Sequence, residues 1–325
     1  MNLTAFSLNE IGGRKNVEDA IMPKQYGQQS PKLFVVCDGV GGSSFGEVAS
    51  ELATKNFYTI FEKATVATEA DFTKLLHQSL AAFQKEVQAY IAQNPSAAGT
   101  STTLTLLLIQ QQKAWAAWCG DSKIFQIRNG NPVYRSRDHS LVAELVEQGV
   151  ITEKEAESHP QRNIITRSLS ANTKPTDIET VVITDLQDQD WFLLCTDGLM
   201  EQFTESLFPS MLGNFVTGKN YSAEIDKICK GKTRDNYSMY LIHLSGVKKK
   251  GAAKWLLPLI IVILAAGGWF GYQQISKENK TTESSPVSDT IKEEPEVKSI
   301  MMVKPQSADD TTKNKTDSTK KDSIK

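Results

Sequence analysis

A chain of 325 residues with 40% hydrophobic content can bury a substantial core, as one large domain or two average ones. Its 36 basic and 38 acidic residues leave a formal charge of −2, which excludes the global positive field that gathers a protein onto nucleic acid; no nucleic-acid partner is expected, and catalytic electrostatics must be local. Cys37, Cys119, Cys195 and Cys229 are far apart, three of them at the ends of apolar runs, which is core usage and excludes a CxxC zinc or redox pair.

The N-terminus, MNLTAFSLNEIGGRKN, lacks the basic and then apolar pattern of a secretory signal, so this region is expected in a reducing cytoplasm. Short apolar or alternating runs bounded by Gly, Asn or Asp predict strands at 32–37, 102–109, 114–119, 123–127, 178–183, 190–195 and 237–244. Between the first two, helix-spaced apolar residues predict helices over 45–63 and 69–93. In the second helix they are Phe72, Leu75, Leu76, Leu80, Phe83, Val87 and Ile91, with Asn94-Pro95 as the stop. Ser43 and Ser44 read as caps of the first helix. Strands and helices arrive in blocks, which predicts an α+β domain over 1–246 and not a repeating βαβ sheet.

Composition then shifts. A basic linker, 247–254, carries Lys248, Lys249, Lys250 and Lys254 and leads into the uncharged stretch 255–272, close to the roughly 20 residues that span a bilayer. Trp255, Trp269 and Tyr272 lie where interfacial aromatics belong, and the one-sided lysines predict a single-pass helix with the preceding domain in the cytoplasm. A buried core helix is the alternative, disfavoured by the adjacent lysines and the polar tail. Residues 273–325 are too polar to offset the ordering of their backbone and read as a disordered tail on the opposite side. Their apolar patch, 300–303, reads as a chance cluster or a partner motif.

The chemistry is concentrated in aspartates at strand ends. LFVVCDGVGG delivers Asp38, AWAAWCGDSK delivers Asp121, WFLLCTDGL delivers Asp197, and Asp235 in RDNYS opens a strand. Any one Asp-Gly pair alone is an ordinary turn. Several converging carboxylates would repel one another unless a cation lay among them, and oxygen-only ligands point to Mg2+ or Mn2+ over Zn2+.

The ordered series RKNVED at 14–19, DGVGG at 38–42, GTSTT at 99–103, GDSK at 120–123, DHSLV at 138–142, TDGL at 196–199 and DNYS at 235–238 resembles the metal-dependent type 2C serine/threonine protein phosphatases, in particular their bacterial branch. The resemblance covers roughly residues 5–245. It implies a four-layer α-β-β-α sandwich of two mainly antiparallel sheets, with two Mn2+ or Mg2+ ions and a third, weaker one. Carried over by position, Asp38 would bridge both metals, the Gly39 carbonyl would bind one, and Asp197 and Asp235 would complete the other shell. Glu18 and Asp19 would act through water, Asp121 would serve the third site, and Arg14 would grip the substrate phosphate.

The implied partners are phosphorylated proteins, substrates of a bacterial serine/threonine kinase. Departures are local. Val40 stands where many eukaryotic relatives have a histidine proposed as general acid, Val17 replaces a common asparagine, and Lys123 replaces the arginine of GDSR. His139 and His159 are acid candidates by type, with turn or surface roles as the bland reading. Residues 143–169 are expected to form a mobile flap beside the site, as the resemblance implies. A membrane-anchored phosphoprotein-binding scaffold of weak activity is the rival reading, opposed by the complete aspartate set.

Overall fold

The computed structural model describes residues 1–27, 32–40, 45–247 and 267–270. In chain order the elements are β1 Asn2–Glu10, β2 Ala20–Met22, β3 Leu33–Cys37, β4 Gly39–Val40, α1 Gly46–Phe61, α2 Glu69–Gln93, β5 Ser101–Thr102, β6 Leu104–Gln110, β7 Lys113–Cys119, β8 Lys123–Arg128 and β9 Asn131–Arg135. There follow α3 Leu141–Glu147, α4 Glu153–Glu157, β10 Glu179–Ile183, β11 Trp191–Cys195, α5 Asp197–Met200, α6 Phe208–Leu212, α7 Tyr221–Cys229 and β12 Tyr237–Ser245. One sheet runs β1-β12-β11-β8-β9, the other β10-β7-β6-β3-β2, and β4 pairs with β5 beside them. Neighbouring strands are antiparallel throughout.

The layering follows from side chains alternating across each strand. On β3, Leu33, Val35 and Cys37 pack with Phe57, Phe72, Leu80 and Phe83 of α1 and α2, whereas Phe34 and Val36 meet Phe192, Leu194, Tyr240 and Ile242 of the opposite sheet. On β11, Trp191, Leu193 and Cys195 face the other way, against Leu199, Phe208, Tyr221 and Ile225 of α5 to α7. Three apolar cores thus separate four layers. Strands covered on both faces have no polar face, which is why LFVVC and WFLLC are apolar throughout. Burying each such aliphatic or aromatic side chain is worth about 1.5–3 kcal/mol.

All seven predicted strands and both predicted helices are present. Helix α2 starts at a reciprocal cap in which Thr68 Oγ1 accepts the Asp71 N–H at 3.2 Å while Asp71 Oδ2 accepts the Thr68 N–H at 2.9 Å. Phe45, at the N-terminus of α1, makes no side-chain cap, and Ser43 and Ser44 lie outside the described residues. Sequence reading missed β1, which pairs with β12 along its whole length from Asn2↔Ser245 to Glu10↔Tyr237. Leu3 and Ala5 face the inter-sheet core and Phe6 and Leu8 the helical one, so its pattern has meaning only with a partner more than two hundred residues away.

Near the turn after β8, Asp190 is fully buried and receives Arg128 Nε at 2.7 Å, Arg128 Nη2 at 2.9 Å and Gln126 Nε2 at 2.8 Å. Arg128→Ala would strand that carboxylate, and a loss of about 3–5 kcal/mol is expected in urea unfolding.

By contacts the chain divides into residues 1–251, which hold the sandwich, and 252–325. Of the second unit only 267–270 are described, as a helical turn. Among the described residues no helix is long and apolar enough to cross a membrane; the span predicted at 255–272, its flanking lysines and the tail beyond lie otherwise outside them.

Candidate metal centre and active site

Topology brings the strand-end aspartates to one edge. Strands β3 and β7 are each antiparallel to β6, so they run the same way, and Asp38 and Asp121, just past their C-termini, emerge on the same side. In the other sheet β11 and β12 are antiparallel, with Cys195 opposite Met239. The end of β11 carrying Asp197 therefore adjoins the start of β12 carrying Asp235.

The backbone under these carboxylates is tied down. Thr103 Oγ1 accepts the Asp38 N–H at 2.9 Å, and the Asp38 carbonyl accepts the Thr103 N–H and the Thr102 hydroxyl, each at 2.8 Å. Thr103 Oγ1 also meets Ser122 Oγ at 2.7 Å, linking the Asp38 turn to the Asp121 turn. Gly39 donates its N–H to the Glu18 carbonyl at 3.1 Å. A Cβ there would lie 2.5 Å from the Gly46 backbone and 2.7 Å from Glu18 O, so only glycine fits.

The loop carrying Arg14, Glu18 and Asp19 is held by residues that sequence reading passed over. Asn236 donates through Nδ2 to the carbonyls of Ile11 at 2.7 Å and Asn16 at 2.9 Å, and its Oδ1 accepts the Glu18 N–H at 2.8 Å. The Thr196 hydroxyl donates to Asp19 Oδ2 at 2.9 Å while accepting the Ser238 N–H at 3.0 Å. The available signal was adjacency: both lie next to a predicted ligand, in segments read only for the aspartate.

The electrostatics fit a cation. Burial first, then Asp19, Asp197, Asp121 and Asp235, raise the Asp38 pKa well above the usual carboxylate range. Asp19 and Asp121 are each pushed up to about 7, in both cases by burial first, with Asp197 adding repulsion. Burial, followed by the charge of Asp235, raises the Asp197 pKa. Asp121 Oδ1 is buried with no hydrogen-bond partner among the described residues, an acceptor that a cation would satisfy. Arg14 pairs with Asp235 at 2.5 Å. Among the described residues no three His, Cys, Asp or Glu side chains stand close enough together to hold a metal ion as they are placed. The donors are oxygen throughout and suit Mg2+ or Mn2+.

Beside this centre opens a cavity of about 1070 Å3. Asp121, Asp197 and Asp235 line it, together with Val142, Val146 and Ala156 of α3 and α4 and with Met200, Glu201 and Lys232.

Residues 12–225 match the family of protein phosphatase 2C. The chain belongs to that family. It is 31% identical over 219 residues, covering 67% of this chain and 86% of the relative, to a serine/threonine phosphatase of Listeria innocua. Its fold is similar to that of the serine/threonine phosphatase Stp1 of Staphylococcus aureus, with a TM-score of 0.66, 27% identity and coverage of 76% of this chain and 96% of that one. At 22% identity and a TM-score of 0.61, covering 75% of this chain and 98% of the other, it shares the fold of the catalytic domain of the phosphatase PstP, which was solved in complex with two manganese ions. The chain is thus a metal-dependent protein serine/threonine phosphatase.

The departures from the family pattern are readable in this phosphatase. Val40, half-buried on β4 opposite Ser101, offers no proton. Lys123 forms an ion pair with Asp138 beside Asp121. His159 Nδ1 accepts the Gln161 N–H at 3.2 Å in an exposed turn. His139 is neither a surface residue nor turned to the cavity: it is 3% exposed, its Nδ1 accepts the Gly120 N–H at 3.1 Å, and burial lowers its pKa, leaving the imidazole neutral. The predicted flap is present as α3, α4 and the return to Leu169. It is sewn down by a mutual backbone pair between Thr102 and Leu169 (2.9 and 2.7 Å) and by the Leu141 N–H to Ile164 O at 2.9 Å.

Proposed function

We propose that this phosphatase removes phosphate from phosphoserine and phosphothreonine on substrates of a bacterial serine/threonine kinase, with two Mn2+ or Mg2+ ions and a third, weaker one. In this reading residues 255–272 hold it in a membrane, with the catalytic domain on the cytoplasmic side and 273–325 opposite. The observation that carries the catalytic part is the meeting of Asp38, Asp121, Asp197 and Asp235 from separate strand ends, with the pKa values of Asp38, Asp121 and Asp197 raised and an orphaned Asp121 oxygen. The membrane part is supported by composition alone.

Asp38, the Gly39 carbonyl, Asp197 and Asp235 would hold the two ions, Glu18 and Asp19 would act through water, and Asp121 would serve the third ion. When bound, such a pair of cations supplies an acidified water for in-line attack and neutralises charge on the phosphoryl oxygens. Arg14, half exposed beside Asp235, exchanges that carboxylate for the substrate phosphate, to which its planar fork can donate two hydrogen bonds. Val40 and the buried His139 supply no proton to the leaving alkoxide, so water delivers it.

The test is manganese-dependent phosphate release from a phosphothreonine peptide by the full chain; a folded, manganese-supplied protein without turnover would refute the enzyme. Retention of the full chain in membranes through an alkaline carbonate wash tests the anchor, and release into the wash would remove it. Flap residues line the cavity, among them Val146, Glu153 and Ala156, so exchanging 143–169 for the flap of a related phosphatase is expected to change kcat/KM ratios among phosphopeptides by about 10-fold. Competition assays between two peptides would read that change.

A further inference from the structure

We propose that His139 is a positioning residue: by accepting the Gly120 N–H on Nδ1 it fixes the Gly120–Asp121 turn and so the aim of the Asp121 carboxylate. This rests on the reading above that Asp121 holds a metal ion. The contact has two points, because the His139 N–H also donates to the Gly120 carbonyl at 2.9 Å. The same two residues therefore clamp each other through backbone and ring.

Gly120 has φ +107, and a Cβ on it would lie 2.6 Å from Thr103 Cγ2, so the turn is wedged between Thr103 and the imidazole. Thr103 is the residue that also holds the Asp38 N–H and Ser122. One hydrogen-bonded network thus runs from the backbone of Asp38 to the turn of Asp121, and His139 closes its far side.

The ring itself is braced. Trp118 stacks over it with centroids 6.4 Å apart and donates its indole N–H to Arg137 O at 2.8 Å. Nε2 lies 3.1 Å from Glu179 Oε1, off the line of a good hydrogen bond, and the same oxygen takes Arg167 Nη1 at 3.2 Å. With Nδ1 accepting, the proton belongs on Nε2, toward Glu179. The His139 carbonyl accepts the Thr166 N–H at 2.8 Å, which ties the base of the flap to the same point. An orienting group of this kind beside a ligand typically governs metal affinity or activity 10- to 100-fold.

Asparagine places an amide oxygen where Nδ1 stands; glutamine places its polar end near Nε2. In the full chain, His139→Ala and His139→Gln are expected to lower kcat on a phosphothreonine peptide by roughly 10- to 100-fold with KM little changed, and His139→Asn to recover most of it. Calorimetric titration with Mn2+ alone should show the weakest binding step lost or weakened in the Ala and Gln variants, with the tighter steps intact, and restored in His139→Asn. Thermal midpoints without metal separate this from packing. If Asn and Gln behave alike, if activity merely follows the midpoint, or if Mn2+ binding is unchanged, the proposal is overturned. Asp121→Asn is the control. Should it leave the weakest Mn2+ step of the wild-type chain untouched, the metal assignment of Asp121 fails; should it remove that step while the His139 variants do not, the positioning role alone fails.

Discussion

On the proposed assignment of Asp38 as the ligand shared by both metals, Asp38→Asn is expected to reduce kcat by roughly a thousandfold or more, since such a centre would draw several kcal/mol from that charge and each 1.4 kcal/mol is about a factor of ten. The substitution is close to isosteric. The backbone of Asp38 is fixed on both sides by Thr102 and Thr103, so the shape of the turn should survive. It also removes a carboxyl whose ionisation is opposed by burial and by Asp19, Asp197 and Asp121. The metal-free variant should consequently melt higher than the metal-free parent at pH 8 while being the less active enzyme. Steady-state kinetics with saturating Mn2+ and differential scanning calorimetry in chelator read the two halves, and a lower melting point in chelator would contradict the electrostatic account.

The second large effect is a reversal of pH dependence by metal. Asp19 and Asp121 have folded pKa values pushed up to about 7, against about 3.9 for an unfolded aspartate. Between these limits the native state binds more protons than the unfolded one, so stability falls as pH rises. The contribution is fully present below about pH 4 and gone above about pH 7, and one such group costs about 1.4 kcal/mol per pH unit between them. Because these groups share one neighbourhood, their effects do not simply add. The metal-free phosphatase should therefore lose stability from pH 5 to pH 8. Saturating Mn2+ should cancel the loss, because carboxylates that hold a cation gain by being ionised. Urea midpoints at both pH values, with Mn2+ and with chelator, check it; a metal-free protein more stable at pH 8 would refute the premise that these carboxyls are buried together.

Those two results probe different features of one centre. Replacing Asp38 asks whether its charge is needed for turnover, whereas the pH series asks whether the carboxylates crowd one another before any ion arrives. Arg14 belongs to the second question. Its guanidinium, its pKa raised by the hydrogen bond to Asp235 despite partial burial, pairs with a carboxylate proposed for a cation and so relieves part of that crowding.

The sequence by itself determined the strands that are apolar on both faces, the two long helices and the aspartates with their order. These are local signals: a doubly covered strand must be apolar at every position, a helix repeats every three to four residues, and a carboxylate beside glycine at a strand end stands out against that background. It also carried the family. What only the tertiary structure decided depends on partners distant in the chain. Strand β1 is legible only against β12, Asn236 only by the carbonyls of Ile11 and Asn16, and Thr196 only by Asp19. His139 is the clearest case. Its residue type suggested an acid or a surface turn, and only packing against Trp118 and Gly120 shows a buried, neutral acceptor. A side chain's type limits what it can donate or accept, but which atom it meets is fixed by strands and loops that the sequence lists far apart and the fold brings together.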